Sequence, residues 1–165
     1  APFFTDQDEK RLLYELSKMS NKNHLRLTKL ALTTGFRRSE LLSLTWRNID
    51  LKKRIIYIYR KNCAATDNAS VMRLVPLPEQ AEKILEESNE RNGKVIELSK
   101  GAARNGFDKA RKRAGLQTLR FHDLRHIAIS RMWSSGMNAL EISACSGHRD
   151  IKMLMRYSHY ELSLL

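Results

Sequence analysis

Two histidines and an arginine stand close together in His122-Asp123-Leu124-Arg125-His126. On a helix, residues three or four apart share a face, so His122 and Arg125 project from one side. A guanidinium fork matches two phosphate oxygens, and an imidazole adds one directional hydrogen bond. A second arginine source is Thr34-Gly35-Phe36-Arg37-Arg38-Ser39-Glu40, where Arg37 follows a glycine suited to ending a helix and aiming the chain inward. A third stretch, Gly147-His148-Arg149-Asp150 and onward to Arg156-Tyr157, adds another histidine and a phenol. By type, these groups can hold an anionic ester. A zinc reading competes with this one: His122 and His126 at i and i+4, beside Asp123, imitate a zinc-hydrolase helix. Against it, Arg125 would set a positive charge facing the ion, and His148 could be a third ligand only if the fold brought it near.

The whole chain leans the same way. Its 165 residues carry 30 lysines and arginines against 18 acidic residues, a formal charge of +12. Such a surplus points to a polyanionic partner, above all nucleic acid; a merely solubilising surface is the bland alternative. Apolar residues make up 42%, which supports a real core and argues against disorder. No apolar run approaches the roughly 18–20 residues of a membrane span. Cys63 and Cys145 show no paired spacing, which fits a reducing compartment. There is neither a glycine-rich loop ending in Lys-Ser/Thr nor an acidic cluster suited to two magnesium ions. The first residue is Ala1, as in an excised fragment.

These groups need elements to position them. Thr5 with Asp8 forms a helix-capping box, followed by an apolar stripe of Leu12, Leu13, Leu16 and Met19. A second helix is predicted over 22–34, stopped by Gly35, and a third, short one is capped by Ser39. The run Ile55-Ile56-Tyr57-Ile58-Tyr59 reads as a strand and 71–75 as its hairpin partner, with the small polar stretch 62–70 between them. Pro78 starts a helix over 79–90, Asn92-Gly93 turns the chain, and 95–98 reads as one more short strand. Ala103, Phe107, Ala110 and Ala114 mark a helix stopped by Gly115. Three more helices are predicted over 123–135, 138–145 and 150–157. Leu124, Ile127, Ala128 and Met132 form an inward stripe, Trp46, Met153 and Met155 read as core, and His126 reads as a buried, hydrogen-bonded histidine. The basic run Lys109, Arg111, Lys112, Arg113 suits a DNA backbone and a solvated helix face equally. The fold class is mainly α with a small antiparallel β-sheet, one domain over 1–165.

Three boxes in this order resemble the catalytic domain of the tyrosine recombinases, the phage integrase family. Thr-Gly-x-Arg-x-x-Glu, running on into Leu41, Leu44, Trp46 and Ile49-Asp50, is similar to the family's first arginine box. His122-x-x-Arg125, with Ala128 and Ser130, is similar to its His-x-x-Arg box. Gly147-His148, with Tyr157 nine residues after His148 in Met155-Arg156-Tyr157-Ser158-His159, is similar to its nucleophile box. The resemblance implies a catalytic set of Arg37, Lys61, His122, Arg125, His148 and Tyr157, with Lys61 as the hairpin lysine and Glu40 in a supporting role. The spacing from His148 selects Tyr157 rather than Tyr160. The family's N-terminal DNA-clamping domain is expected to be absent from this chain.

Elementary chemistry agrees with those roles. Attack on an anionic phosphodiester is repelled until its charge is neutralised, and Arg37 and Arg125 can clamp the two non-bridging oxygens while His122 and His148 donate to them. A phenol of pKa near ~10 needs cations or a base to become a nucleophile; His122 is the candidate base. Lys61 can protonate the departing 5′-oxygen. The activity the resemblance implies is site-specific cleavage and rejoining of double-stranded DNA through a 3′-phosphotyrosyl link, which preserves one ester bond, so neither ATP nor a metal is expected as cofactor. The resemblance further implies a homo-tetramer on paired sites, in the cytoplasm of a bacterial host and away from any membrane. Two alternatives are a type IB topoisomerase-like nicking and rejoining enzyme and an inactive DNA-binding regulator.

Overall fold

The computed structural model describes residues 3–59, 72–148 and 150–155. Thr5 opens α1 (Asp6–Ser17). Its hydroxyl accepts from the Asp8 N–H at 3.1 Å while the Asp8 carboxylate accepts from the Thr5 N–H at 2.9 Å. α2 (Asn23–Thr34) ends at Gly35, whose φ of +68° is the left-handed stop the sequence predicts. α3 (Arg38–Ser43) follows at once. After one 3₁₀ turn come three antiparallel strands in spatial order, β1 (Ile49–Asp50), β2 (Ile55–Tyr59) and β3 (Met72–Pro76). The remaining helices are α4 (Glu79–Glu86), α5 (Lys100–Arg113), α6 (Phe121–Ser134), α7 (Ala139–Ser146) and α8 (Ile151–Leu154). The molecule is mainly helical with a small antiparallel sheet set early in the chain, as the sequence predicts. No helix among the described residues is long and apolar enough to cross a membrane.

The centre is α6, packed against α2 on one side and α7 on another. Leu124, Ile127, Ala128 and Met132 are buried as predicted, and so are Ile129 and Trp133, because two neighbours cover more of the helix than one stripe. Leu27, Leu30 and Ala31 of α2 and Phe36 join the same core. Each fully buried leucine contributes roughly 1.5–3 kcal/mol. Phe107 of α5 meets Phe121 edge to face at 5.2 Å, which seats the first turn of α6.

Several local expectations are corrected. Ser39 does not cap α3: Arg37 is the N-cap, and the Glu40 carboxylate accepts from the Arg37 N–H at 3.0 Å. A carboxylate three residues into the helix satisfies that orphan donor and meets the positive end of the dipole. Residues 95–98 form no strand. Only Thr45 and Lys94 make an isolated bridge, while the Glu97 N–H donates to Asn23 Oδ1 and Arg26 donates to the Val95 carbonyl. The apolar run there reflects burial of Val95, Ile96 and Leu98; two side chains and one backbone bond, from the Val95 N–H to the Leu44 carbonyl at 3.0 Å, hold it instead of a strand ladder. β1 has no counterpart in the expectation, since two residues are too few to show alternation. α4 stops at Glu86: the Ser88 N–H closes the last turn on the Leu85 carbonyl, and the Ser88 hydroxyl donates forward to the Glu90 carbonyl at 2.8 Å. Met153 and Met155 are not core; they are 43% and 50% exposed, because the one inward position of so short a helix is filled by Leu154. The hairpin connection over 62–70, Lys61, Tyr157 and Tyr160 lie outside the described residues.

Candidate active site

Arg125 sits in the second turn of α6 with only 3% of its surface exposed. Its Nη1 donates to the Gly35 carbonyl at 2.7 Å, tying α6 to the turn that delivers Arg37. Its Nη2 lies 3.2 Å from His148 Nδ1. The same Nη2 lies 3.5 Å from His148 Nε2, so the guanidinium faces both ring nitrogens. His148 is itself held by its own helix end: Gly147 caps α7 at φ +76°, the Ser146 hydroxyl lies 2.7 Å from Nδ1, and the Ser143 hydroxyl donates to the His148 carbonyl at 2.6 Å.

Arg37, His122 and Arg125 line one cleft of about 250 Å³, together with Phe36, Arg38, Arg120 and Phe121. Two segments distant in sequence are thus brought to one place: the loop after α2 and the first turns of α6. Arg38 lies over the Phe121 ring, 5.7 Å from its centroid, which steers its charge along the cleft wall. Larger clefts continue on both sides. One is lined by Arg104, Arg111 and Arg120, and the other by Lys94, Ser99 and Lys100. Of the basic run on α5, Arg111 and Lys112 pair with Asp108, so part of that run is locally neutralised.

Burial pushes the His122 pKa below its ordinary value; the Arg125 charge lowers it further, Asp123 opposes, and Arg37 and Arg120 add to the lowering. A ring so placed is neutral at pH 7 and can accept a proton. His126 stacks edge to face on it at 4.9 Å and is half-buried, its pKa lowered by burial and by His122. Among the described residues no three His, Cys, Asp or Glu side chains gather into a metal-binding group.

Glu40 does more than cap α3. Its carboxylate pairs with Arg37 and with Arg73 of β3, both at 3.3 Å. Burial raises its pKa, and the Arg73 charge and hydrogen bond, with the Arg37 N–H and charge, reverse this and hold it below the usual range. Arg73 is the residue that sequence reasoning passed over. It is buried opposite Ile58, on the inner face that Val75 shares, while its apolar neighbours Met72 and Leu74 face outward. The available signal was phase: Arg73 keeps step with Val75.

The chain matches the phage integrase family over residues 2–162. It is 38% identical over 133 residues to the shufflon-specific DNA recombinase of Escherichia coli, covering 79% of this chain and 33% of that protein. Among solved structures, the catalytic domain of bacteriophage HP1 integrase superposes with a TM-score of 0.75 at 26% identity, over 96% of this chain and 87% of that one. The Tn1549 transposon integrase, solved in complex with transposon right end DNA, shares the fold with a TM-score of 0.74 at 20% identity, over 93% of this chain and 60% of that one. The chain belongs to the phage integrase family, with the fold of a tyrosine-recombinase catalytic domain. It spans about a third of the length of the curated relative named above.

Proposed function

We propose that this chain is the cutting and rejoining part of a site-specific DNA recombinase, with Tyr157 as nucleophile and no need of metal or ATP. The observation that carries the reading is the convergence of Arg37, His122 and Arg125 on one cleft, with His148 against Arg125. The two arginines neutralise the non-bridging oxygens of a phosphodiester, and His148 donates a hydrogen bond to the same ester. Neutral His122 takes the phenolic proton as the Tyr157 oxygen attacks phosphorus. The P–O5′ bond breaks, its electron pair leaves with the 5′-oxygen, and Lys61 supplies the proton. The 3′-phosphotyrosyl ester retains the energy of the broken bond, so a 5′-hydroxyl of the partner duplex can attack and release the tyrosine. Basic clefts on both flanks suit the neighbouring phosphates of the strand. Exchange between two duplexes needs four cleavages, hence a tetramer on paired sites. The setting is the cytoplasm of a bacterial host.

The test is covalent capture. Nicked, biotinylated duplexes randomised around the nick lose the short fragment that carries the new 5′-hydroxyl and trap the adduct, which survives denaturation on streptavidin. The parent is expected to yield an adduct whose labelled peptide contains Tyr157, and Tyr157→Phe is expected to bind DNA and yield none. An adduct mapping to Tyr160, or one requiring a divalent ion, overturns the proposal.

A further inference from the structure

Arg73 is a buried cation outside the cleft lining, and its contacts run to the segment that carries Arg37 and to the end of α7 that carries His148. Nη1 and Nη2 face the two Glu40 carboxylate oxygens at 3.3 and 3.4 Å, and Nη2 also donates to the Cys145 carbonyl at 3.2 Å. Glu40 in turn holds the backbone and guanidinium of Arg37. Cys145 lies in the last turn of α7, two residues before the glycine that delivers His148. The approach there is close enough that a Cβ on Gly147 would collide with Arg73 Nη1. The guanidinium also lies 5.6 Å from the Phe36 ring centroid, beside Arg37 in the chain. Its Nε has no hydrogen-bond partner among the described residues.

This is an expensive way to fill a core position. Well-packed apolar residues of similar volume commonly match or exceed the stability of a buried ion pair, whose gain lies in fixing one geometry. What the pair fixes here is the distance between the loop carrying Arg37 and the helix end carrying His148, with β3 as the rigid bar between them.

We infer that Arg73 is a positioning residue for phosphoryl transfer, which sets the Arg37 and His148 segments at the spacing one phosphate requires. The inference rests on the recombinase reading above. A lysine at 73 keeps the charge but cannot span both Glu40 oxygens and the Cys145 carbonyl. The arginine box and the α7 end then drift relative to one another, and displacements near an ångström at a reacting centre cost up to ~100-fold.

The test uses the 165-residue chain and a duplex recovered by the covalent capture described above. Adduct formation is followed for the parent, Arg73→Lys and Glu40→Gln, with DNA affinity and thermal unfolding measured alongside. Each duplex is made with a natural scissile phosphate and with a methylphosphonate, which removes one charged oxygen and so the need to clamp it. Arg73→Lys is expected to lose about tenfold or more in rate on the phosphate, with affinity within about twofold, and to lose less than about threefold on the methylphosphonate. Equal losses on both substrates mark a purely structural role and overturn the inference, as does an unchanged rate in a folded variant. If Arg73→Lys does not fold, Glu40→Gln carries the same comparison, since its amide oxygen still accepts from the Arg37 N–H. A parent that forms no adduct removes the recombinase reading, and this inference falls with it.

Discussion

Arg125 spends one arm of its fork on the Gly35 carbonyl and turns the other toward His148, so its guanidinium plane is set before any substrate arrives. A lysine there keeps the charge and loses the plane. Arg125→Lys is expected to reduce adduct formation by about 10²–10³-fold while leaving DNA affinity close to the parent's, read from single-turnover cleavage beside a binding titration. The histidines make a prediction of their own. In the folded chain His24, His122 and His126 all have pKa values lowered, in each case first by burial. On acidification the unfolded chain therefore binds protons before the folded one does. Stability is complete above the ordinary imidazole pKa of ~6.5 and declines as the pH falls through it, so the urea midpoint is expected to drop between about pH 7.5 and pH 5.5. A midpoint that rises on acidification contradicts the assignment. At this scale the meeting of Arg37, His122 and Arg125 in one cleft was legible, because residue type and spacing already suggest groups that gather on one anion. Arg73 was not, since an arginine between exposed Met72 and Leu74 reads as a surface charge until the strand's neighbours show which face is inside.

Helix ends aim the site, and two of them are glycines doing different jobs. Gly35 needs its positive φ, while a Cβ there would meet Ala128 Cβ at an ordinary 3.5 Å. Gly147 needs both its positive φ and the space that Arg73 occupies. Gly35→Ala is expected to cost about 1–2 kcal/mol, the left-handed penalty alone, and Gly147→Ala measurably more, by denaturant titration of both variants. Equal costs would show that Arg73 yields freely. The glycine stops were readable in the sequence because the conformation is written in the residue. Residues 95–98 misled for the opposite reason: burial and β-pairing favour the same apolar run, and only the folded chain reveals that Asn23, Arg26 and the Leu44 carbonyl, not a strand ladder, take up those backbone groups. Ser39 misled because two acceptors competed for the start of α3, and the one deeper in the turn, Glu40, could reach back.

The net charge of +12 acts on the whole molecule. Arginines and lysines line the central cleft and both flanking ones, so binding to a labelled duplex should release counterions from several phosphates. The affinity is expected to fall at least about a hundredfold from roughly 50 to 200 mM monovalent salt, measured by fluorescence anisotropy. A flat response would mean that the basic surface faces elsewhere. The architecture as a whole was legible in advance, since helical periodicity and a β-rich hairpin each span enough residues to stand out. β1 was too short to do so.

The crowding of cations around the central cleft has one more consequence. Four guanidinium groups, from Arg37, Arg38, Arg120 and Arg125, border a space of about 250 Å³, and like charges at such separations push one another apart. Folding brings them together at a cost that the hydrophobic interior must offset. On the proposed function, a phosphate bound there cancels that repulsion, so the anion completes the tertiary structure in the same act by which it becomes the reactant.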